Sequence, residues 1–277
     1  MTGTIAAFSS MAVAGREVAA ELDIFEIMMY RSVVGVLVVT GIALVFGTLK
    51  EVKTDRLGLH FLRNAAHFAG TNLWLYAVSV IPLAQVFALE FTTPLWVIVL
   101  SPLLLGERLT LMRGVAAVMG FIGILIVARP GSMGLDAGVI TAASCAIFFA
   151  LSIILTKRLT ASQSITCILF YMTTMQLVFG IAAAGFDGQV AIPSWTAAPF
   201  VFLIGIAGLV AHFCLTKALS LAPATVVVPI DFVRLPTIAV VGMLLYQEHI
   251  DIWVFVGAAI IFAGNYMNIW SETRARA

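Results

Sequence analysis

The chain has 277 residues, 62% of them hydrophobic and 10% charged, with a mean hydropathy of +1.09 and a formal net charge of +1. A soluble domain is about a quarter charged, so this composition excludes a water-soluble globular fold; the net charge itself carries no message, and nucleic acid is not an implied partner. At about 20 apolar residues per helical crossing, the length accommodates ten crossings and leaves no separate soluble domain. Cys145, Cys167 and Cys214 fall in apolar stretches without the close spacing of a metal site or disulfide framework, and read as small buried hydrophobes. The N-terminus has neither a basic n-region nor a small-residue cleavage site, so no removable signal peptide is expected.

Apolar runs broken by charge, Gly and Pro predict helices over 3–20, 27–47, 57–78, 82–105 and 111–128. A second set follows over 135–156, 165–186, 197–218, 224–246 and 252–270. Pro82 and Pro223 introduce the fourth and ninth helices, where a missing N–H costs nothing. Lys and Arg concentrate in cytoplasmic loops. One face collects Lys50, Lys53, Arg56, Arg108, Arg113, Lys157, Arg158, Arg274 and Arg276, and the other only Arg16 and Arg129. This bias predicts a multi-pass protein of the inner (plasma) membrane with both termini in the cytoplasm.

Sliding the chain against itself by 141 residues lays the fourth and fifth helices on the ninth and tenth without a gap. Punctuating residues coincide: Pro82 with Pro223, Phe91 with Phe232, Glu107 with Glu248 and Gly123 with Gly264. The expected fold is therefore an all-α integral membrane protein of ten transmembrane helices in two five-helix repeats, residues 1–130 and 131–277. Because five is odd, the second repeat enters the membrane from the opposite face. Inverted repeats are a recurring plan of secondary transporters, with the site near the midplane where the halves meet. The same shift aligns Arg16 with Lys157, which leaves the first helix short beside the sixth.

The stretch PLAQVFALEFTTPLWVIVLSPLLLGERLTLMRGVAAVMGFIGILIVARPG, 82–131, resembles the conserved end of a repeat in the EamA family of the drug/metabolite transporter superfamily, and 223–270 resembles it more loosely. The resemblance implies ten helices around a central cavity, lined by the first four of each half, with the fifth and tenth on the periphery. Members move amino acids, amines, nucleosides, vitamins and other metabolites, and the ALEFTTPLW segment is similar to one in amino-acid exporters. The chain departs from the pattern with YQE in the second half where the first has LGE, and with the charged DFVRLP segment.

A charge in hydrocarbon costs at least about 2.5 kcal/mol, so ionisable residues inside the spans are functional candidates. They are Glu90, Asp231, Arg234, Lys217, Arg63 and Arg31, joined by His67 and His212. Glu90 and Asp231 are repeat partners, each about 12 Å into its helix, and inversion puts them at opposite depths. Glu90 with Arg31, and Asp231 with Arg234 or Lys217, are the expected charge pairs, each partner offsetting the other's desolvation. Such an acid and base could hold a zwitterion, and a carboxylate could take a coupling proton; the alternative is that the pairs only lock helix to helix. On the third helix His67, Asn72, Trp74 and Tyr76 give polar and aromatic edges, with His67 and Thr71 on one face. Tyr30, Tyr171 and Gln176 extend this set, either as cavity wall or as interhelical bonds and interfacial anchors. Gly120, Gly123, Gly257 and Gly264 permit close helix approach, and Glu107, Arg108, Glu248 and His249 sit at helix ends as loop or gate contacts.

No HExxH, GxSxG or Walker motif is present, and His60, His67, His212 and His249 have no metal-ligand spacing. The function expected is that of a transporter rather than an enzyme, without cofactor or metal. Its expected cargo is a small polar metabolite, an amino acid or related zwitterion before a vitamin, nucleoside or amine, moved by alternating access with protons as a coupling option. A membrane scaffold or sensor would instead lack a polar cleft between the halves.

Overall fold

Local chemistry sets the helix starts. The Asp23 carboxylate accepts from the Glu26 backbone N–H at 2.8 Å, and the Glu26 side chain accepts from the Asp23 N–H at 2.9 Å. This reciprocal cap satisfies two donors that a helix start leaves open. Asp136 and Ser164 likewise accept from the N–H groups of Val139 and Cys167.

The structure, a computed structural model, describes residues 1–105, 111–128, 136–186, 190–222, 224–227, 234–248 and 252–276. Every regular element among them is helical. The first half holds α1 (Thr2–Val18), α2 (Ile24–Val45), α3 (Leu57–Val80), α4 (Leu83–Glu90), α5 (Thr93–Leu105) and α6 (Leu111–Ala128). The second holds α7 (Ala137–Leu159), α8 (Ile165–Ala184), α9 (Ala198–Leu221), α10 (Ala224–Val227), α11 (Arg234–Tyr246) and α12 (Ile252–Arg276). A 3₁₀ turn, Thr48–Glu51, joins α2 to α3 after Gly47, whose φ of 66° ends α2 in the left-handed region glycine favours.

The fourth predicted helix is corrected to two, α4 and α5, and the ninth is described as α10 and α11. The break in the fourth has a chemical cause. Pro94 has no N–H to give the Glu90 carbonyl four residues back, and its ring crowds that carbonyl. Thr93 supplies the donor instead, its Oγ1 reaching the Glu90 carbonyl at 2.6 Å, and Thr92 Oγ1 reaches the Leu89 carbonyl at 2.8 Å. Backbone groups freed inside hydrocarbon must be satisfied within the protein; here the Thr93 hydroxyl takes the Glu90 carbonyl, while the Leu89 carbonyl accepts both the backbone N–H of Thr92 at 3.1 Å and its hydroxyl.

Five described helices, α2, α7, α8, α9 and the 252–271 part of α12, are long and apolar enough by themselves to cross a membrane. The 24-residue α3 is not among them. His60, Arg63, Asn64, His67 and Asn72 lower its hydropathy, which marks it as the helix whose inner face is polar. Outward-facing Leu37, Leu103, Phe121 and Phe202 give the exterior an apolar surface suited to lipid.

The main helix pairings are α3 with α7, α1 with α9, α2 with α8 and α6 with α12. Small residues allow the closest approaches. A Cβ on Gly180 of α8 would stand 2.9 Å from the Met29 Cα on α2, and one on Gly123 of α6 would stand 2.8 Å from the Gly257 carbonyl oxygen on α12. Two basic residues tie first helices to third. Arg16 Nε and Nη2 donate to the carbonyls of Val78 and Ile81 at 2.8 and 2.6 Å, and Lys157 Nζ donates to those of Leu219 and Ala222 at 2.8 and 3.2 Å. The acceptors are separated by the same 141 residues as the donors. Arg16 also pairs with Glu248, whose carboxylate accepts the Leu83 N–H at 3.0 Å and so caps α4.

Backbone cannot yield to a side chain as a flexible neighbour can, so Gly180→Leu is expected to separate α8 from α2. The expected cost is about 1–3 kcal/mol, read as a lower thermal midpoint in detergent, whereas Gly41→Leu, at a position with open space around it, leaves the midpoint near wild type.

Candidate functional site

Where α1, α3, α7 and α9 meet the break between α4 and α5, the helices enclose a cavity of about 90 Å³. A water needs about 10–15 Å³ on this measure, so several fit. Arg31 on α2 and Arg234 on α11 complete the wall, while α6, α8 and α12 contribute nothing to the described lining. The peripheral position implied for the fifth and tenth predicted helices agrees with that lining. The seventh, α8, was expected to line the cavity and does not.

One wall is built around Glu90. Its Oε1 accepts from Arg234 Nη2 at 2.7 Å and its Oε2 from Trp74 Nε1 at 2.7 Å. Arg234 is 1% exposed, and its guanidinium lies 4.7 Å from the Phe87 ring centroid and 4.9 Å from that of Phe8. Aromatic faces stabilise a desolvated cation by about 2 kcal/mol, and the carboxylate supplies the counter-charge. Glu90 was expected to pair with Arg31; the structure pairs it with Arg234. The packing of α11 against α4 brings Arg234, the first residue of α11, beside the last residue of α4. Asp231, the repeat partner of Glu90, lies outside the described residues, as do Glu107, Arg108 and His249.

The lining along α3 and α2 is cationic. Arg63, His67, Thr71 and Trp74 occupy one face of α3, and Arg31 on α2 reaches the same cavity. Arg63 Nε donates to Thr156 Oγ1 at 3.1 Å and Nη1 to Asn64 Oδ1 at 2.8 Å. Arg31, 7% exposed, has no side-chain hydrogen bond or ion pair among the described residues. His67 and His212, both in the cavity lining, meet edge to face with ring centroids 4.5 Å apart, bringing α3 against α9.

Of the other expected site residues, Lys217 is exposed on the outer face of α9, one residue and about 100° around the helix from the cavity-lining Thr216. Asn72 and Tyr76 are half-buried and stand off the lining face of α3 for the same geometric reason; Asn72 Nδ2 donates to the Phe68 carbonyl at 2.7 Å. Tyr30 bonds the Ala191 carbonyl, Tyr171 packs on His60, and Gln176 donates to the Asn64 carbonyl, so all three hold helices and loops rather than the cavity. Sequence reasoning missed Ser152 and Thr156 of α7, whose four-residue spacing in an apolar run is a readable signal. It missed Phe8 and Phe149 for want of any signal. Among the described residues no group of three His, Cys, Asp or Glu side chains is arranged to hold a metal.

Helices that turn apolar side chains outward and enclose a chamber into which arginine, histidine and hydroxyl side chains project define a membrane protein with an internal cavity. The chain belongs to the EamA-like transporter family, whose family model matches residues 1–129 and 136–270. It is 27% identical over 254 residues to an S-adenosylmethionine uptake transporter of Rickettsia bellii, covering 92% of this chain and 86% of that protein. It is 30% identical over 233 residues to a riboflavin transporter of Brucella anthropi, covering 83% and 82%. A solved crystal structure shares its fold with a TM-score of 0.73 at 16% identity, over 100% of this chain and 97% of the other. Family and relatives indicate a membrane transporter of small molecules rather than an enzyme.

Trp74→Phe keeps the ring and removes the donor to Glu90, which is expected to cost about 1.5–3 kcal/mol in stability. A double-mutant cycle on Glu90→Gln and Arg234→Gln is expected to give a coupling energy of about 0.5–3 kcal/mol by thermal or denaturant unfolding.

Proposed function

We propose that the protein is an alternating-access carrier of a small polar metabolite, an amino acid or related zwitterion, across the inner membrane, with both termini in the cytoplasm. The observation that carries this reading is the cavity itself, with charged and hydroxyl side chains set among apolar ones and walled by α1, α3 and α4 from one half of the chain and by α7, α9 and α11 from the other. A site shared by two halves can be exposed to either side as they rock.

The two halves are read as inverted five-helix repeats giving ten crossings, with α4 and α5 parts of one crossing and α10 and α11 parts of another. Several observations support this. The starts of α2, α3, α4 and α6 precede those of α8, α9, α10 and α12 by 141 residues, and so do the ends of α1, α3 and α5 those of α7, α9 and α11. Exchanging the halves also exchanges the α3·α7 pairing with α9·α1, and returns α2·α8 and α6·α12 to themselves. The Arg16 and Lys157 contacts then fall at opposite ends of the bundle, and each is a candidate to break when its end opens.

S-adenosylmethionine, named for one set of relatives, carries an amino-acid end and fits the zwitterion reading. A second reading, a riboflavin-like vitamin, is favoured by the aromatic side chains Phe8, Trp74, Phe91 and Phe149 in the wall. Glu90 and Asp231 are the carboxylates proposed to take a coupling proton if transport is proton-linked.

Counterflow into proteoliposomes, run with amino acids, S-adenosylmethionine, riboflavin, nucleosides and amines, tests the proposal. Saturable exchange of at least one of them is expected, and protein-independent leak of all of them contradicts it. Glu90→Gln is expected to slow that exchange about tenfold or more while the protein stays folded, and unchanged uptake kinetics would show that Glu90 only locks helices.

A further inference from the structure

The cavity holds more positive charge than its described wall balances. Arg31, Arg63 and Arg234 line it, and the one acid among the described lining residues is Glu90, which already accepts from Arg234 and Trp74. Arg63, 2% exposed, gives Nε and Nη1 to Thr156 and Asn64, and its Nη2 has no hydrogen-bond partner among the described residues. Arg31 has none at all among them. The two guanidiniums lie within electrostatic reach of one another and of both imidazoles. His67, 4% exposed and facing the same space, has a buried Nε2 without a hydrogen-bond partner among the described residues.

A structural lock would give each buried arginine a carboxylate, because an uncompensated charge in a low-dielectric interior is costly. Two guanidiniums and an imidazole edge converging without one are the donor set of an anion site, since guanidinium forks match the paired oxygens of carboxylate and phosphate. Beside them stand rings. Phe8 meets His212 edge-on at 5.7 Å, and Phe149 lies 6.1 Å from His67. A flat, apolar ring can lie against such a wall while its charged group reaches the arginines.

We propose that Arg31, Arg63 and His67 form the anion-binding end of the transport cavity, and that the substrate is a metabolite carrying a carboxylate or phosphate beside a flat ring. The proposal rests on the carrier reading for its word substrate and narrows that reading to organic anions and zwitterions. A neutral or purely cationic cargo is excluded.

The test is a thermal-shift titration of the purified full-length protein with three probes that share a phenyl ring: 3-phenylpropionate, phenyl phosphate and phenethylamine. At least one anion is expected to raise the midpoint saturably while phenethylamine does not, and the stronger of the two anions identifies the headgroup. Arg31→Gln and Arg63→Gln are expected to raise the half-saturating concentration about tenfold to a hundredfold, with Arg31→Lys falling between them and wild type. Indifference of the wild type to both anions, an equal response to phenethylamine, or unchanged titrations in both glutamine variants would overturn the proposal. If the glutamine variants do not fold, the discrimination between anions and amine by the wild type decides alone. No transport step enters this measurement. Anion binding without counterflow of any metabolite would count against the carrier reading alone, and counterflow with indifference to anions would count against the anion site alone.

Discussion

The Glu90 carboxylate joins three helices at one point. It is the last residue of α4, it holds α3 through Trp74, and it holds α11 through Arg234. Everything else about the cavity depends on this junction, because it fixes the distance between a helix of the first half and a helix of the second. It also places a neutralised carboxylate on one side of the chamber and leaves the arginines of the other side without one among the described residues. In a medium that cannot solvate charge, that asymmetry is the main electrostatic fact about the interior.

The junction exists because the helix stops there. Pro94 cannot continue the hydrogen-bond ladder from Glu90, and the Thr93 hydroxyl takes up the freed carbonyl, so α4 ends at cavity depth instead of crossing to the far face. Interrupted helices that line a cavity are a common way for transporters to bring backbone and side-chain polar groups to mid-membrane. Here the interruption turns the chain so that Glu90, Phe91, Thr93 and Pro94 all reach the wall. The rest of the bundle is the apolar packing that lets this polar centre stay buried, including glycine contacts as close as that of α8 on the α2 backbone.

Much of this was legible in the sequence. Hydropathy located most helix ends to within about three residues, apart from the break inside the fourth helix and the longer α12, and the shift of 141 residues that lays Arg16 on Lys157 also separates their carbonyl acceptors. Arg31, Arg63, His67, His212, Glu90 and Arg234 all reach the cavity as expected. What the sequence did not reveal is which helix faces which. Spacing along α3 separates Arg63, His67 and Thr71 from Asn72 and Tyr76 only once the inward direction is known, and the same holds for Thr216 against Lys217. The partner of Glu90 comes from a helix far away in sequence, and no local pattern specifies it. The helix break was readable from Pro94 with its preceding threonines, but the apolar run around it reads as continuous.

The central claim is that the cavity communicates with both faces of the membrane in turn. It is tested most directly by a cysteine at position 152, introduced into a chain whose native Cys145, Cys167 and Cys214 have been replaced, and reacted in vesicles with a membrane-impermeant thiol reagent. Ser152 lines the cavity and is 4% exposed, so its reactivity reports entry of water and reagent to the centre rather than to the surface. Labelling from either face is the predicted result. Labelling from one face only, or from neither, with the protein folded, would contradict it.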